Sequence, residues 1–302
     1  MIRALLTALL TAALAAVFAD TVSTTEARVI HTKRSLYRDI FVIDEGDRVC
    51  MRLRLHIREM SRRQSCMLKA DHDKLVFEYA RMAMGGLMLA SSPKRILIVG
   101  LGGGSIPRVL RAVLPGVPVD VVEVDEAVVE VARDYFDFTA GGTVRVIVQD
   151  ARVSVKRAAR TGVRYDLVVL DAFDGEYIPE HLMTREFLEE CRAILASGGV
   201  LVANTFSTSR LYDSESVTYR AAFGPFLNLR RVSGNRVIIA RASTPPTLAE
   251  LKAGGARWKA TLARYGVDAD WVVSVVSDRP DWRADARPLT DQYHPANVLR
   301  GF

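Results

Sequence analysis

The apolar positions of this chain fall into two periods. Short apolar runs of strand length occupy residues 96–99, 119–124, 144–148, 165–170 and 199–203, and helically spaced apolar residues separate them. Strands so poor in polar alternation are buried on both faces, so the pattern predicts an α/β chain with a mostly parallel sheet. Residues 35–70 read differently. There Met51, Leu53, Leu55 and Ile57 alternate with Arg52, Arg54, His56 and Arg58, which predicts a small β region with one apolar and one basic face. Leu75, Val76, Tyr79, Met82, Ala83 and Leu87 lie near helical spacing and predict a helix over 71–89. Further helices are expected over 184–196 and 214–223, then a hairpin over 230–240, a break at Thr244, Pro245 and Pro246, and a last helical segment.

The first apolar run ends in Gly100, Gly102, Gly103 and Gly104, and a helical pattern follows at once. Such a turn lets the backbone approach a ligand, and the free N–H groups of the next helix favour electron-rich groups. About 20 residues on, the second run ends in Glu123, the place from which a carboxylate accepts from ribose hydroxyls. Asp125 follows it, the third run ends in Asp150 beside Ala151, and the fourth ends in Asp171. Open α/β sheets bind ligands outside the carboxyl ends of their strands. Glu123, Asp150 and Asp171 converging there repel a pyrophosphate and favour an uncharged or cationic nucleoside, such as a sulfonium.

The 302 residues, 49% apolar and 25% charged, suffice for one large or two small domains with a sizeable core. The net charge of +6 comes from scattered arginines without aromatic interleaving, which gives no support to nucleic-acid binding. Residues 1–19, with Arg3 before an apolar stretch, read as a signal peptide or membrane anchor. The expectation is an exported or membrane-anchored protein, with a cytoplasmic one as the alternative. Cys50, Cys66 and Cys191 have no metal-ligand spacing with the histidines, so no metal is expected. In an exported chain Cys50 and Cys66 would clip the β region together.

The residues resemble the polyamine aminopropyltransferases, or spermidine synthases. The resemblance runs in order through Tyr37 to Ile40, Gln64, Glu78, the glycine turn, Val122 to Asp125, Gln149 to Ala151, Asp171 to Asp174 and Leu182 to Phe187. It spans roughly residues 35 to 240, and its look is that of the branch whose domains are fused to membrane transporters. It implies the Rossmann-like fold of S-adenosylmethionine-dependent methyltransferases with a small N-terminal β region. It also implies aminopropyl transfer from decarboxylated S-adenosylmethionine to a small-molecule amine such as putrescine. Asp171 would be the general base and Asp174 would hold the amine from a gating loop. Gln64, the four glycines, Glu123, Asp125, Asp150 and Ala151 would bind the nucleoside, and Tyr37 and Glu78 the amine. Family members often form homodimers through the N-terminal β region.

Two departures stand out: the family carries an aspartate where this chain has Gly103 or a neighbouring glycine, and Arg38 puts a cation beside the expected amine site. The alternatives are therefore a methyltransferase using intact S-adenosylmethionine, and a nucleoside- or polyamine-binding module. The expected organisation is residues 1–19 as signal or anchor, 20–92 as hairpin region and linking helix, 93–243 as nucleoside-binding domain, and 244–302 as a helical extension.

Overall fold

A computed structural model of the chain describes residues 27–54, 63–173, 178–231, 234–277 and 279–294. The signal or anchor expected over 1–19 and Asp174, expected to hold the amine, lie outside the described residues. No helix among the described residues is long and apolar enough to cross a membrane.

Two sheets form the framework. The first is an antiparallel meander of β1 (Arg28–Arg34), β2 (Asp39–Asp44), β3 (Arg48–Arg54) and β4 (Arg63–Leu68). The expected alternation holds at its centre: Met51 and Leu53 are buried, while Arg52 is half-buried and pairs with Glu45 at 3.1 Å. The mostly exposed β1 lacks a readable apolar face, so the pattern predicted the region only from residue 35. Cys50 and Cys66 face each other across β3 and β4 and form a disulfide; Cys191 is free and buried.

The second sheet has eight strands in the order β12-β10-β11-β9-β8-β5-β6-β7. They are β5 (Ile96–Val99), β6 (Val119–Glu123), β7 (Val144–Val148), β8 (Tyr165–Leu170), β9 (Leu195–Phe206), β10 (Leu227–Arg230), β11 (Asn235–Arg241) and β12 (Val276–Ser277). The strands from β5 to β9 are parallel, and β11 runs antiparallel to β9. Both faces are covered, which explains the continuous apolar runs: Ile96 and Ile98 enter one core, Leu97 and Val99 the other. The first core is continuous with Ile40, Val42 and Met51 of the N-terminal sheet.

The helix expected over 71–89 is shorter and broken. Residues 71–77 form a turn in which the Leu75 N–H donates to the Tyr265 carbonyl (2.9 Å), a tertiary bond in place of a helical one. Then α1 (Glu78–Ala83) and α2 (Gly85–Leu89) meet at Met84. At Gly86 a Cβ would lie 2.2 Å from the Val202 side chain, so close packing on the sheet governs this segment. The crossovers are α3 (Ser105–Val113), α4 (Glu126–Tyr135), α5 (Ala151–Arg160) and α6 (Arg185–Ala193), followed by α7 (Tyr212–Phe223). Residues beyond 244 supply α8 (Leu248–Ala263) and α9 (Ala269–Ser274), and also β12, which extends the sheet.

Candidate active site

The carboxyl ends of β5, β6, β7 and β8 open into a cavity of about 300 Å³. Its floor is the glycine turn. Gly100 has φ of +95°, and a Cβ there would sit 2.2 Å from the Asp171 carbonyl oxygen, so only glycine lets the turn reach β8. Its roof comes from the N-terminal sheet, through Tyr37, Arg38, Gln64 and Ser65.

At one end Glu123 is buried and accepts from the backbone N–H groups of Leu101 and Asp125, each at 3.0 Å. Burial pushes its carboxyl above the usual range, against the pull of those donors and of the Arg38 charge. Asp125 lies behind it, caps α4 through the Ala127 N–H (3.0 Å) and accepts from the Ser35 hydroxyl (2.6 Å). Ser35 thereby ties the β1–β2 turn to the main sheet. Arg38 is nearly buried; its Nη1 donates to the Phe173 carbonyl (2.8 Å), and its Nε is an ion-pair neighbour of Asp125 at 3.9 Å.

Asp150 caps α5 through the Val153 N–H (2.9 Å) and meets the His181 ring at 2.7 Å. Although burial opposes it, the Val153 N–H and His181 hold this carboxyl below its usual value. Both residues line the cavity.

The other end belongs to Asp171. Its Oδ2 accepts from the Tyr79 hydroxyl at 3.2 Å and its Oδ1 from the Asn204 amide at 2.8 Å. Burial outweighs both donors, and with the nearby Glu123 charge it pushes the carboxyl up to about 7. Burial and Asp171 likewise raise the Tyr79 hydroxyl well above its ordinary value. A carboxyl that shares its proton near neutrality, facing a cavity, is equipped to take a proton from a bound group.

Most of the residues singled out from the sequence converge on this cavity: Tyr37, Gln64, Gly100, Gly102, Glu123, Asp150, Ala151 and Asp171 line it. Gly104 instead starts α3, and Gly103 packs away from the space, where a Cβ would meet Ser65 Oγ at 2.7 Å and Phe136 at 2.8 Å. Glu78 is not among them. It is outside the cavity lining, in an ion pair with Arg231 at 3.0 Å, because α1 turns it outward and presents Tyr79 to Asp171. Tyr79, Asn204 and His181 were not singled out. Asn204 had a signal, as a polar residue after the apolar run 200–203 of a central strand; His181 had none. Among the described residues no group of three or more His, Cys, Asp or Glu could hold a metal ion.

Comparison with known proteins places this architecture. Residues 76–223 match the Spermine/spermidine synthase domain. The chain is 44% identical over 281 residues to a "Polyamine aminopropyltransferase" of Vibrio vulnificus, covering 92% of this chain and 93% of that protein. The chain belongs to the spermidine synthase family. A crystal structure titled as a "probable spermidine synthase" of Corynebacterium glutamicum has a TM-score of 0.63 at 23% identity, over 86% of this chain and 99% of that one. Human Methyltransferase-like protein 13, solved with SAH, covers 72% of this chain and all of its own length at a TM-score of 0.53 and 24% identity. At such identities these two attest the fold: the Rossmann-like methyltransferase sheet, here with a small antiparallel sheet before it.

Proposed function

We propose that this member of the spermidine synthase family is a polyamine aminopropyltransferase, moving the aminopropyl group of decarboxylated S-adenosylmethionine to an amine such as putrescine. Asp171 is the observation that carries the reading. An alkylammonium ion must lose a proton before its nitrogen can attack, and a carboxyl titrating near 7 beside the cavity suits that task. The neutral nitrogen attacks the aminopropyl methylene carbon bonded to the sulfonium. As the nitrogen–carbon bond forms, the carbon–sulfur bond breaks with its electron pair going to sulfur, and neutral methylthioadenosine leaves. The amine proton passes to Asp171.

In this reading Glu123 accepts from the ribose hydroxyls and Asp150 from the adenine amino group, while the glycine turn lies under the nucleoside. Asp174 holds the amine with Tyr37. The Cys50–Cys66 disulfide supports an oxidising setting, and with it the reading of residues 1–19 as an export signal or anchor. A second reading, methyl transfer from intact S-adenosylmethionine, is favoured by Arg38, whose cation on the cavity wall suits a methionine carboxylate.

Mass analysis of products separates the two. Incubation with putrescine and decarboxylated S-adenosylmethionine should yield spermidine and methylthioadenosine. Methylated amine and S-adenosylhomocysteine from intact S-adenosylmethionine, without spermidine in the first mixture, would refute aminopropyl transfer.

A further inference from the structure

Asp171 does not stand alone on the sheet. Its Oδ1 accepts from Asn204 Nδ2 (2.8 Å), and Asn204 Oδ1 in turn accepts from Asn235 Nδ2 (2.9 Å). Asn204 belongs to β9 and is buried; Asn235 begins β11, where its backbone pairs with Phe206. An amide can present either its oxygen or its nitrogen, and only its partners decide which. Were Asn204 turned over, its oxygen would confront Oδ1 of Asp171 at hydrogen-bond distance, two acceptors with no proton between them. Asn235 donates to the oxygen of Asn204 and so keeps its NH₂ toward the acid.

We infer that Asn235 is a positioning residue for aminopropyl transfer: acting through Asn204, it fixes which oxygen of Asp171 receives the amine proton. The inference rests on the reading of Asp171 as the base. While Asn235 presents its NH₂, Asn204 cannot turn its acceptor toward Oδ1 without losing that bond, so Oδ1 remains an acceptor. Oδ2 meets a hydroxyl, and a hydroxyl can rotate from donor to acceptor. The proton therefore arrives on Oδ2, and Tyr79 turns to accept from it. The other group bearing on this carboxyl's charge is the Glu123 carboxylate, at the end of β6. It is bonded to the Leu101 and Asp125 N–H groups, not to Asn235.

The test is carbon NMR of aspartate-labelled full chain, with Asp171→Asn assigning the signal, beside pH profiles of kcat and KM. Asn235→Asp replaces the donor with an acceptor and should reverse Asn204, raising the Asp171 midpoint by about one pH unit or more. Asn235→Ala removes the donor without adding charge and should raise it by less. The acid limb of kcat should follow each shift, while KM for decarboxylated S-adenosylmethionine changes less than about twofold. An Asp171 midpoint identical in wild type, Asn235→Asp and Asn235→Ala would overturn the inference. Midpoints that move without any change in the kcat profile would instead remove Asp171 from the role of base, and with it the part of Asn235 in the transfer.

Discussion

Replacing Asp171 with asparagine should weaken catalysis and strengthen the fold, and the second effect should depend on pH in one direction. In the native protein the carboxyl is pushed up from 3.8 to about 7, mainly by burial. Below about pH 3.8 the acid is protonated whether the chain is folded or not, and nothing is lost. Between 3.8 and 7 the unfolded chain ionises and the native one resists, so the native state loses stability as pH rises. Above 7 both are ionised and the penalty is complete. A rise of about three pH units corresponds to about 4 kcal/mol, an upper bound because water in the cavity screens the charge. Asparagine cannot ionise and escapes the penalty. Urea unfolding of wild type and Asp171→Asn at intervals between pH 4.5 and 8.5 should therefore show an advantage for the variant that grows up to neutrality and then levels. Turnover should fall by about 10² to 10⁴, the usual contribution of a positioned base. A stability difference that stays constant with pH, or a variant with near-normal turnover, would refute the placement of an elevated, proton-taking carboxyl here.

Other expectations follow from the same geometry. Glu123→Gln leaves one acceptor where two backbone donors and the ribose need a carboxylate, and should weaken methylthioadenosine binding by about 1.5 to 3 kcal/mol; calorimetry reads this directly. Gly103→Asp would drive its Cβ into Ser65 and Phe136, so a loss of about 1 to 3 kcal/mol is expected, measured as a lower Tm. Breaking Cys50–Cys66, which closes a loop of sequence separation 16, should cost about 3 kcal/mol and displace β4, the strand that carries Gln64 and Ser65. Three free thiols in the untreated, denatured protein, instead of that of Cys191 alone, would contradict the disulfide.

The sheet was legible because its strands are covered on both sides, so burial wrote itself into residues 96–99 and 165–170 as apolar runs. The nucleoside end was legible for a related reason. Gly100, Glu123 and Asp150 occupy strand ends at spacings set by the crossover itself, and such spacings survive in one dimension. The acceptor end was less so. Whether Glu78 or Tyr79 faces Asp171 depends on where α1 begins, which is decided by a tertiary bond from Leu75 to Tyr265 far along the chain. Asn204 and Asn235 act through each other's orientation, a relation between β9 and β11 that no local pattern carries. Arg38 stood out as a charge out of place, but its partners, Asp125 and Phe173, come from two other strand ends.

The most direct test of aminopropyl transfer as the work of this cavity is parallel calorimetric titration with decarboxylated S-adenosylmethionine, intact S-adenosylmethionine and methylthioadenosine. The account predicts that the decarboxylated form binds at least about tenfold more tightly than the intact one, about 1.4 kcal/mol, and that methylthioadenosine competes with it. Tighter binding of the intact form would contradict the account and assign the cavity to methyl transfer.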